Sequence, residues 1–430
     1  MPTSPAQTGA NEPELVRTAR QDVQRVAALR EVHGTFEWFH SHLRQLTQDQ
    51  MEITGIPSPP FGENERAEWL RDRFTSLGLA NVHIDEIGNV IATLPDYAHD
   101  QTHGVAVTAH IDTVFPPGTP IKLRQEGDRL YGPGISDNSA GVIGLLALAS
   151  ALMESGVHTQ MPVTFIGNVG EEGEGDVRGM RYLFGDSQLG ENIDYTVVLD
   201  GAGTDSIVTQ ALGSRRFKIT MRGPGGHSWS DFGTPNPIVA LSRAIDDFSR
   251  TNVPTDPKTT FNIGVISGGT SVNSIPEEAT MRVDLRSASS DEISRLEKSL
   301  REALDRAVLE TSVVRGKKRD ASNPVLSYEM KLIGNRPAAE LKANSRILSV
   351  VQAVDAHLNN SARLQRASTD ANIPLSKGKE AIAIGAGGAG GGAHTLHEWY
   401  DPSTRELGLK RIALTVLSLA GVQPSPSKKK

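Results

Sequence analysis

The sequence predicts an α/β protein: a central sheet covered by helices on both faces, interrupted by a smaller α+β domain. Three observations carry this. Short apolar runs at Val105 to Ala109, Val163 to Ile166 and Tyr195 to Leu199 are continuous rather than alternating, as strands buried on both faces require. They alternate with helical patterns, among them Gly141 to Met153, which is apolar nearly all round and reads as a buried helix. The chain's 430 residues suffice for two domains, and its texture changes between about Gly213 and Ser327.

In chain order, a polar arm over residues 1–20 leads into an amphipathic helix. Leu15, Val23, Val26, Leu29 and Val32 fall near helical spacing, and Phe36, Phe39, Leu43 and Leu46 continue it. Pro57, Pro59, Pro60 and Gly62 break this pattern, and Asn64 to Leu77 reads as a second helix with Trp69 and Phe74 inward. Extended runs follow at Val82 to Asp85 and Asn89 to Leu94. From Gly213 the order is strand (Arg216 to Met221), helix (Pro237 to Phe248), strands (Phe261 to Ile266, Ala279 to Leu285), helix (Asp291 to Leu309) and a strand near Val325. That is the split β-α-β-β-α-β order of a ferredoxin-like sheet. The helix Ser345 to Leu358, the strand Ala381 to Ile384 and the helix Leu407 to Ala420 resume the first pattern. The expected division is a first domain over 1–212 and 329–430 and an inserted domain over 213–328, with a disordered arm over 1–20 and a disordered tail over 422–430.

Composition narrows the function. Hydrophobic residues at 37% and charged residues at 22% exclude a disordered chain. Lys+Arg 44 against Asp+Glu 51 gives a net charge of −7, which argues against nucleic acid, and Lys428 to Lys430 read as a solvated terminus. No apolar run reaches the ~18 residues that span a bilayer, and residues 1–20 are polar with no apolar stretch, so a cytoplasmic, membrane-free protein is expected. With no cysteine, any metal must be held by His, Asp and Glu.

Such residues gather where predicted strands give way to loops, the place where an open α/β sheet binds ligands. His110 and Asp112 end one strand, Glu171 and Glu172 follow another, Asp200 a third and His394 a fourth, while Asp137 precedes the buried helix. Taken alone, Asp137 reads more readily as a helix N-cap than as a ligand. Together, this much negative charge calls for cations. Asp137, Glu172, Asp200 and a bridging hydroxide supply the four negative charges that balance two Zn²⁺.

Ala109-His-Ile-Asp-Thr-Val114, Gly134-Ile-Ser-Asp-Asn-Ser-Ala-Gly141, Gly170-Glu-Glu-Gly173, Leu199-Asp-Gly201 and His394-Thr-Leu-His-Glu398 resemble, in order and spacing, the dinuclear zinc exopeptidase and aminoacylase family. That family includes peptidase T, acetylornithine deacetylase and succinyl-diaminopimelate desuccinylase, and the resemblance runs from about Gln45 to Ala420. It implies a three-layer α/β/α catalytic domain with an inserted ferredoxin-like lid and dimerisation domain. It also implies two divalent ions, Zn²⁺ with Mn²⁺ or Co²⁺ as alternatives. His110 and Asp200 would hold one ion, His394 and Glu172 the other, and Asp137 would bridge them. Asp112 would accept the second ring N–H of His110, and Glu171 would be the general base of amide hydrolysis. Gly223-Pro-Gly-Gly-His-Ser228 resembles the loop whose histidine, here His227, reaches the partner subunit's site to hold an oxyanion, so a homodimer is expected. Asn273 and Arg286 match positions that contact substrate.

The expected substrate is a di- or tripeptide cleaved as by an aminopeptidase, because Ser368-Thr-Asp-Ala-Asn-Ile-Pro374 and the His-x-x-His-Glu ending look closer to peptidase T. The alternative is an N-acyl-amino-acid deacylase or a carboxypeptidase on the same centre. A binding protein with decayed machinery would lack a ligand or the base, and none is missing. Gly385 to Gly390 has dinucleotide-fingerprint spacing but no apolar helix behind it. Its glycines are read instead as letting backbone pass close to the metals or the substrate terminus, and Gly392 is expected to contact substrate. His397 receives no role, and His33, His40, His42, His83, His99, His103 and His158 are expected not to be ligands. Trp229 and Trp399 line a pocket or simply pack.

Overall fold

The computed structural model describes residues 13–95, 103–312 and 326–423. The start of the polar arm, His99, Val325 and the lysine tail lie outside the described residues. The chain forms two compact units, Met1–Ala211 with Glu340–Lys430, and Leu212–Ala339.

In the first unit a mixed sheet, nine-stranded among the described residues, forms the frame. Its middle is four parallel strands in the order Val163–Asn168, Val105–His110, Tyr195–Leu199 and Glu380–Ile384. Val90–Thr93 and then Ala80–Ile84 extend it antiparallel on one side. On the other side Glu380–Ile384 pairs antiparallel with Ser206–Ala211, which also pairs in parallel with Arg363–Ala367. The two central strands Val163–Asn168 and Val105–His110 are buried at every residue, which explains their unbroken apolar runs. Helix Ser139–Ser155, buried from Ser139 to Leu152, packs on them, and helices Arg30–Thr54 and Arg405–Ala420 pack on it. Ile91, Ala106 and Ile166 pack instead against Val177, Met180 and Leu183, around the helix Arg178–Gly185. The unit is thus a mixed α/β fold with helices on the sheet.

The long N-terminal pattern is two helices, Glu14–Ala27 and Arg30–Thr54, because Leu29 is extended (φ −73°, ψ 141°) and opens the second. The strands Ser206–Ala211 and Arg363–Ala367 are not foreseen by the sequence pattern. The latter is polar and exposed at all but its last residue, so no alternation marks it. A small antiparallel sheet of Ala389–Gly391, Trp399–Asp401, Arg129–Tyr131 and Arg124–Glu126 is likewise absent from the expectation, its strands being three residues long.

The second unit is an antiparallel sheet in the order Thr259–Gly268, Glu278–Ser287, Gly213–Arg222 and Ser327–Arg336. Phe217, Ile219 and Met221, with Ala279, Met281, Val283 and Leu285, fall two apart and turn one face inward. There they meet Leu241, Ala244 and Phe248 of helix Pro237–Ser249 and Leu296, Leu300 and Leu304 of helix Ser290–Thr311. Asn236 caps the first helix by accepting the Ile238 and Val239 N–H groups, and Ser289 caps the second. The strand expected near Val325 is Ser327–Arg336; it completes this sheet against Gly213–Arg222, so the unit runs to Ala339 rather than 328.

Arg411 ties helix Arg405–Ala420 to helix Arg346–His357 through a two-point bond to Asp355 at 2.6 and 2.9 Å, with both side chains almost wholly buried. Arg411→Ala would leave the Asp355 charge buried and uncompensated, so a loss of ~3–5 kcal/mol is expected in denaturant unfolding. A shift in midpoint corresponding to less than about 1 kcal/mol, the size of an exposed pair's contribution, would contradict that role.

Candidate metal centre

The four parallel strands end side by side, so Asn168, His110, Leu199 and Ile384 deliver the segments that follow them to one edge. His110 is buried as the last residue of its strand. Its Nε2 lies 3.1 Å from Asp137 Oδ1. The other Asp137 oxygen lies 3.2 Å from His394 Nε2, which stands 2.9 Å from Glu172 Oε1. One carboxylate therefore faces two imidazoles that arrive from distant parts of the chain.

Two ligand-like triads result, His110–Asp137–Asp200 and Asp137–Glu172–His394, each with one N or O atom per residue within 4.8 Å of the others. A third, His110–Glu171–Glu172, places the buried Glu171 carboxylate against the same centre. The structure thus brings together His110, Asp137, Glu171, Glu172, Asp200 and His394. His394 adopts a left-handed backbone (φ 65°), uncommon for a residue with a Cβ and typical of functional sites.

Charge explains why this cluster needs a cation. Desolvation, and then the neighbouring Asp137, Asp370 and Glu172 carboxylates, push Asp200 up to about 7, with His110 opposing. Asp137 is desolvated too, but His110 and His394 hold it far below the usual carboxylate range. The Asp137 and Glu172 carboxylates raise His394 to about 10. His110 is disfavoured as a cation by desolvation, yet Asp112 and Asp137 overcome this and raise it. Without a metal, protons must stand in for positive charge. His and carboxylate donors in two triads sharing one carboxylate are of the kind that holds divalent ions.

Asp112 is arranged differently from the sequence expectation. His110 Nδ1 is nearer the Asp112 backbone carbonyl, at 3.1 Å, than its carboxylate, at 3.6 Å. The carboxylate instead accepts the Glu171 N–H at 3.0 Å and the Glu172 N–H at 2.8 Å. Those two amides hold its two oxygens on the Glu171–Glu172 turn, and the Asp112 backbone carbonyl is the nearer acceptor for the ring.

Nor is Asp137 the cap of the buried helix. Asn138 caps it, accepting the Gly141 N–H at 3.2 Å, and also accepts the Gly201 N–H at 2.9 Å. Its amide donates to the carbonyls of His110 and Leu199, so this buried side chain ties together the ends of two central strands. Sequence reading missed Asn138, and also Asn168, whose side chain donates to the buried Asp370 at 2.7 Å.

The remaining residues are placed as follows. His227 and Asn273 lie in the second unit, where Gly226–His227 pairs with Ser274–Ile275 and Ser228 N–H donates to the Asn273 carbonyl. Both residues are exposed. Arg286, also in that unit, pairs with Asp284 at 2.6 Å. Gly392 has φ +71° and turns the chain toward His394. Trp399 stacks beneath Arg129, 4.2 Å from the ring centroid, and Trp229 is exposed.

Comparison with known proteins agrees with this geometry. Residues 106–418 match the model of peptidase family M20/M25/M40, and the chain belongs to that family. That family uses divalent metals, and the clustered His and carboxylate groups offer donors for them. It is 29% identical to carboxypeptidase G2 of Pseudomonas sp. (strain RS-16) over 207 residues, 45% of this chain and 47% of that protein. It is 25% identical to the [LysW]-lysine/[LysW]-ornithine hydrolase of Sulfurisphaera tokodaii over 319 residues, 72% of this chain and 84% of that one. The chain spans less than half the length of the curated carboxypeptidases it matches (44% and 47%). Among solved structures, aminopeptidase PepT from Bacillus cereus superposes with a TM-score of 0.69 at 20% identity, covering 88% of this chain and 99% of that one, a likeness of fold. Among the described residues no helix is long and apolar enough to cross a membrane.

The titrations fix a sign. In metal-free protein Asp200 keeps its proton to about 7, whereas an unfolded chain releases it near 3.8, so its contribution to stability is lost as pH rises between those values. His394 contributes stability that is complete below 6.5 and lost as pH rises through about 10. Asp112 and Asp137, both lowered, act oppositely and lose their contribution only as pH falls below 3.8. Chelator-treated protein is thus expected to melt at progressively lower temperature between pH 6.5 and 10, and Zn²⁺ should flatten that decline. Melting curves without metal that do not change across this range would contradict the assignment.

Proposed function

We propose that this enzyme hydrolyses an amide bond of short peptides with two divalent ions, Zn²⁺ in the first instance. The observation that carries the reading is Asp137, whose two oxygens face His110 and His394 at 3.1 and 3.2 Å. His110 and Asp200 would hold one ion, Glu172 and His394 the other, and Asp137 both. When bound, the ions supply Lewis acidity that activates water and polarises the amide carbonyl.

The chain's own groups do the rest. Glu171 is buried, within reach of His110 and Glu172, and its backbone is fixed by Asp112. It would take the proton of the attacking water and return it to the leaving nitrogen. Asp112, through its carbonyl, keeps the His110 ring oriented so that Nε2 faces the centre. Gly392 would contact substrate, its φ of +71° being a backbone conformation that a residue with a Cβ rarely adopts. Glu171→Gln is expected to keep its metals and lose ~10²–10⁴ in kcat, the usual worth of a general base. Wild-type turnover in that variant would refute the role.

The favoured substrates are di- and tripeptides with a free amino terminus, in line with the Ser368-Thr-Asp-Ala-Asn segment and the peptidase T resemblance. A second reading, a carboxypeptidase or an acyl-amino-acid deacylase, is favoured by the names of the sequence relatives. A panel of free peptides beside amino-blocked peptides and N-acyl amino acids, assayed before and after chelation, separates the two.

His227 would hold the oxyanion in the partner's site of a homodimer, with Asn273 and Arg286 contacting substrate. Support for dimerisation is the edge strand Thr259–Gly268, where Val265 and Ile266 are half exposed, together with the exposed Val272, Trp229 and Phe232. Mixing inactive Glu171→Gln with inactive His227→Ala protein is expected to restore activity well above either alone, because one mixed site then has both groups. No restoration under conditions that exchange subunits would place His227 in its own subunit's site or outside catalysis.

A further inference from the structure

Glu398 is fully buried, and its carboxylate is engaged by backbone alone in direct hydrogen bonds: Oε2 accepts the Gly134 N–H at 2.8 Å, and Oε1 those of Ser136 at 2.8 Å and Asp137 at 2.7 Å. Its own carbonyl accepts the Gly132 N–H at 3.0 Å. The loop that carries Asp137 is therefore wrapped around one side chain from another part of the sequence. That side chain follows His394 by four residues. The strand after it, Trp399–Asp401, pairs with Arg129–Tyr131 ahead of the Asp137 loop and with Ala389–Gly391 ahead of His394. Glu398 thus stands where the segments carrying Asp137 and His394 cross.

Placing a further carboxylate beneath an anionic cluster is unfavourable unless strong bonds offset it. Three amide bonds offset part of this cost, helped by Arg66, a fully buried guanidinium whose charge acts on both Asp112 and Glu398, although burial still pushes the Glu398 carboxyl up to about 7. Asp112 gathers the amides of Glu171 and Glu172 in the same way. An apolar residue would fill the space without that electrostatic cost but would leave three buried N–H groups unmade, so the carboxylate's effect is to fix the loop's shape.

We propose that Glu398 is a positioning residue of the metal centre, setting where the shared Asp137 carboxylate stands relative to His394 and so the spacing at which two ions are held. It touches neither ion nor substrate. The inference rests on the two-ion reading above.

The test is Zn²⁺ affinity of metal-stripped wild-type, Glu398→Gln and Glu398→Ala proteins by competition with a chromogenic chelator, beside the metal-free melting temperature and the split of kcat from KM. Gln keeps one oxygen for two of the amides but turns an NH₂ toward the third. Binding of the more weakly held ion is expected to weaken by ~10–100-fold in Ala, the usual effect of losing a group that supports a ligand, and by less in Gln. The loss should exceed what the change in metal-free melting predicts, and kcat should fall more than KM rises. Folded variants that bind two ions as tightly as wild type overturn the proposal and leave the two-ion reading standing. Wild-type protein that does not bind two ions overturns both. If the Ala variant fails to fold, Gln and hydrogen exchange on metal-free wild type decide: the Gly134, Ser136 and Asp137 amides should be protected, and free exchange there overturns the proposal.

Discussion

Everything in the first unit is arranged around one electrostatic constraint: several carboxylates are brought together, out of water, at the edge of a parallel sheet. Asp137, Glu171, Glu172, Asp200, Asp112 and Glu398 cannot all remain ionised there without compensation. The protein supplies it at three levels. Imidazoles face Asp137 from two sides, backbone amides converge on Asp112 and Glu398, and the buried Arg66 serves both of the latter. What is still unbalanced, visible in the raised Asp200, is the charge that divalent cations would neutralise.

The support extends outward from the ligands through polar contacts that are themselves buried. The Gln50 amide of the long helix Arg30–Thr54 donates to the Ile135 carbonyl at 2.6 Å, and Thr54 donates to Ser139 at 2.9 Å. Arg405 bonds Gln50 and the Tyr400 hydroxyl, linking that helix to the strand after Glu398. The long helix thus braces the loop that carries Asp137. Buried polar chains of this kind fix one geometry because any broken link leaves an unsatisfied group.

The second unit follows a different logic. Its sheet turns one apolar face onto two helices, and its edge strand Thr259–Gly268 keeps apolar side chains in solvent. His227 lies on a two-residue strand paired with Ser274–Ile275, and Asn273 immediately precedes that partner, both exposed.

Much of this was legible in the chain by itself. Continuous apolar runs marked the central strands, and ligand residue types stood at their ends, because a parallel sheet buried on both faces imposes both patterns. The split β-α-β-β-α-β order showed in period-two and period-3.6 spacing, since one side of each element had to be apolar. Three-residue strands and the polar strand Arg363–Ala367 left no periodic trace, being too short or too exposed to bury one. Tertiary structure alone decided which donor meets which acceptor: that Asn138 and not Asp137 caps the helix, that the Asp112 carboxylate holds the Glu171–Glu172 amides, and that Glu398 anchors the loop of Asp137. Hydrogen bonds of a few ångströms between residues as far as 264 positions apart in the Glu398 anchor, and 355 in the Arg405–Gln50 bond, are set by packing, and composition and spacing carry no record of them.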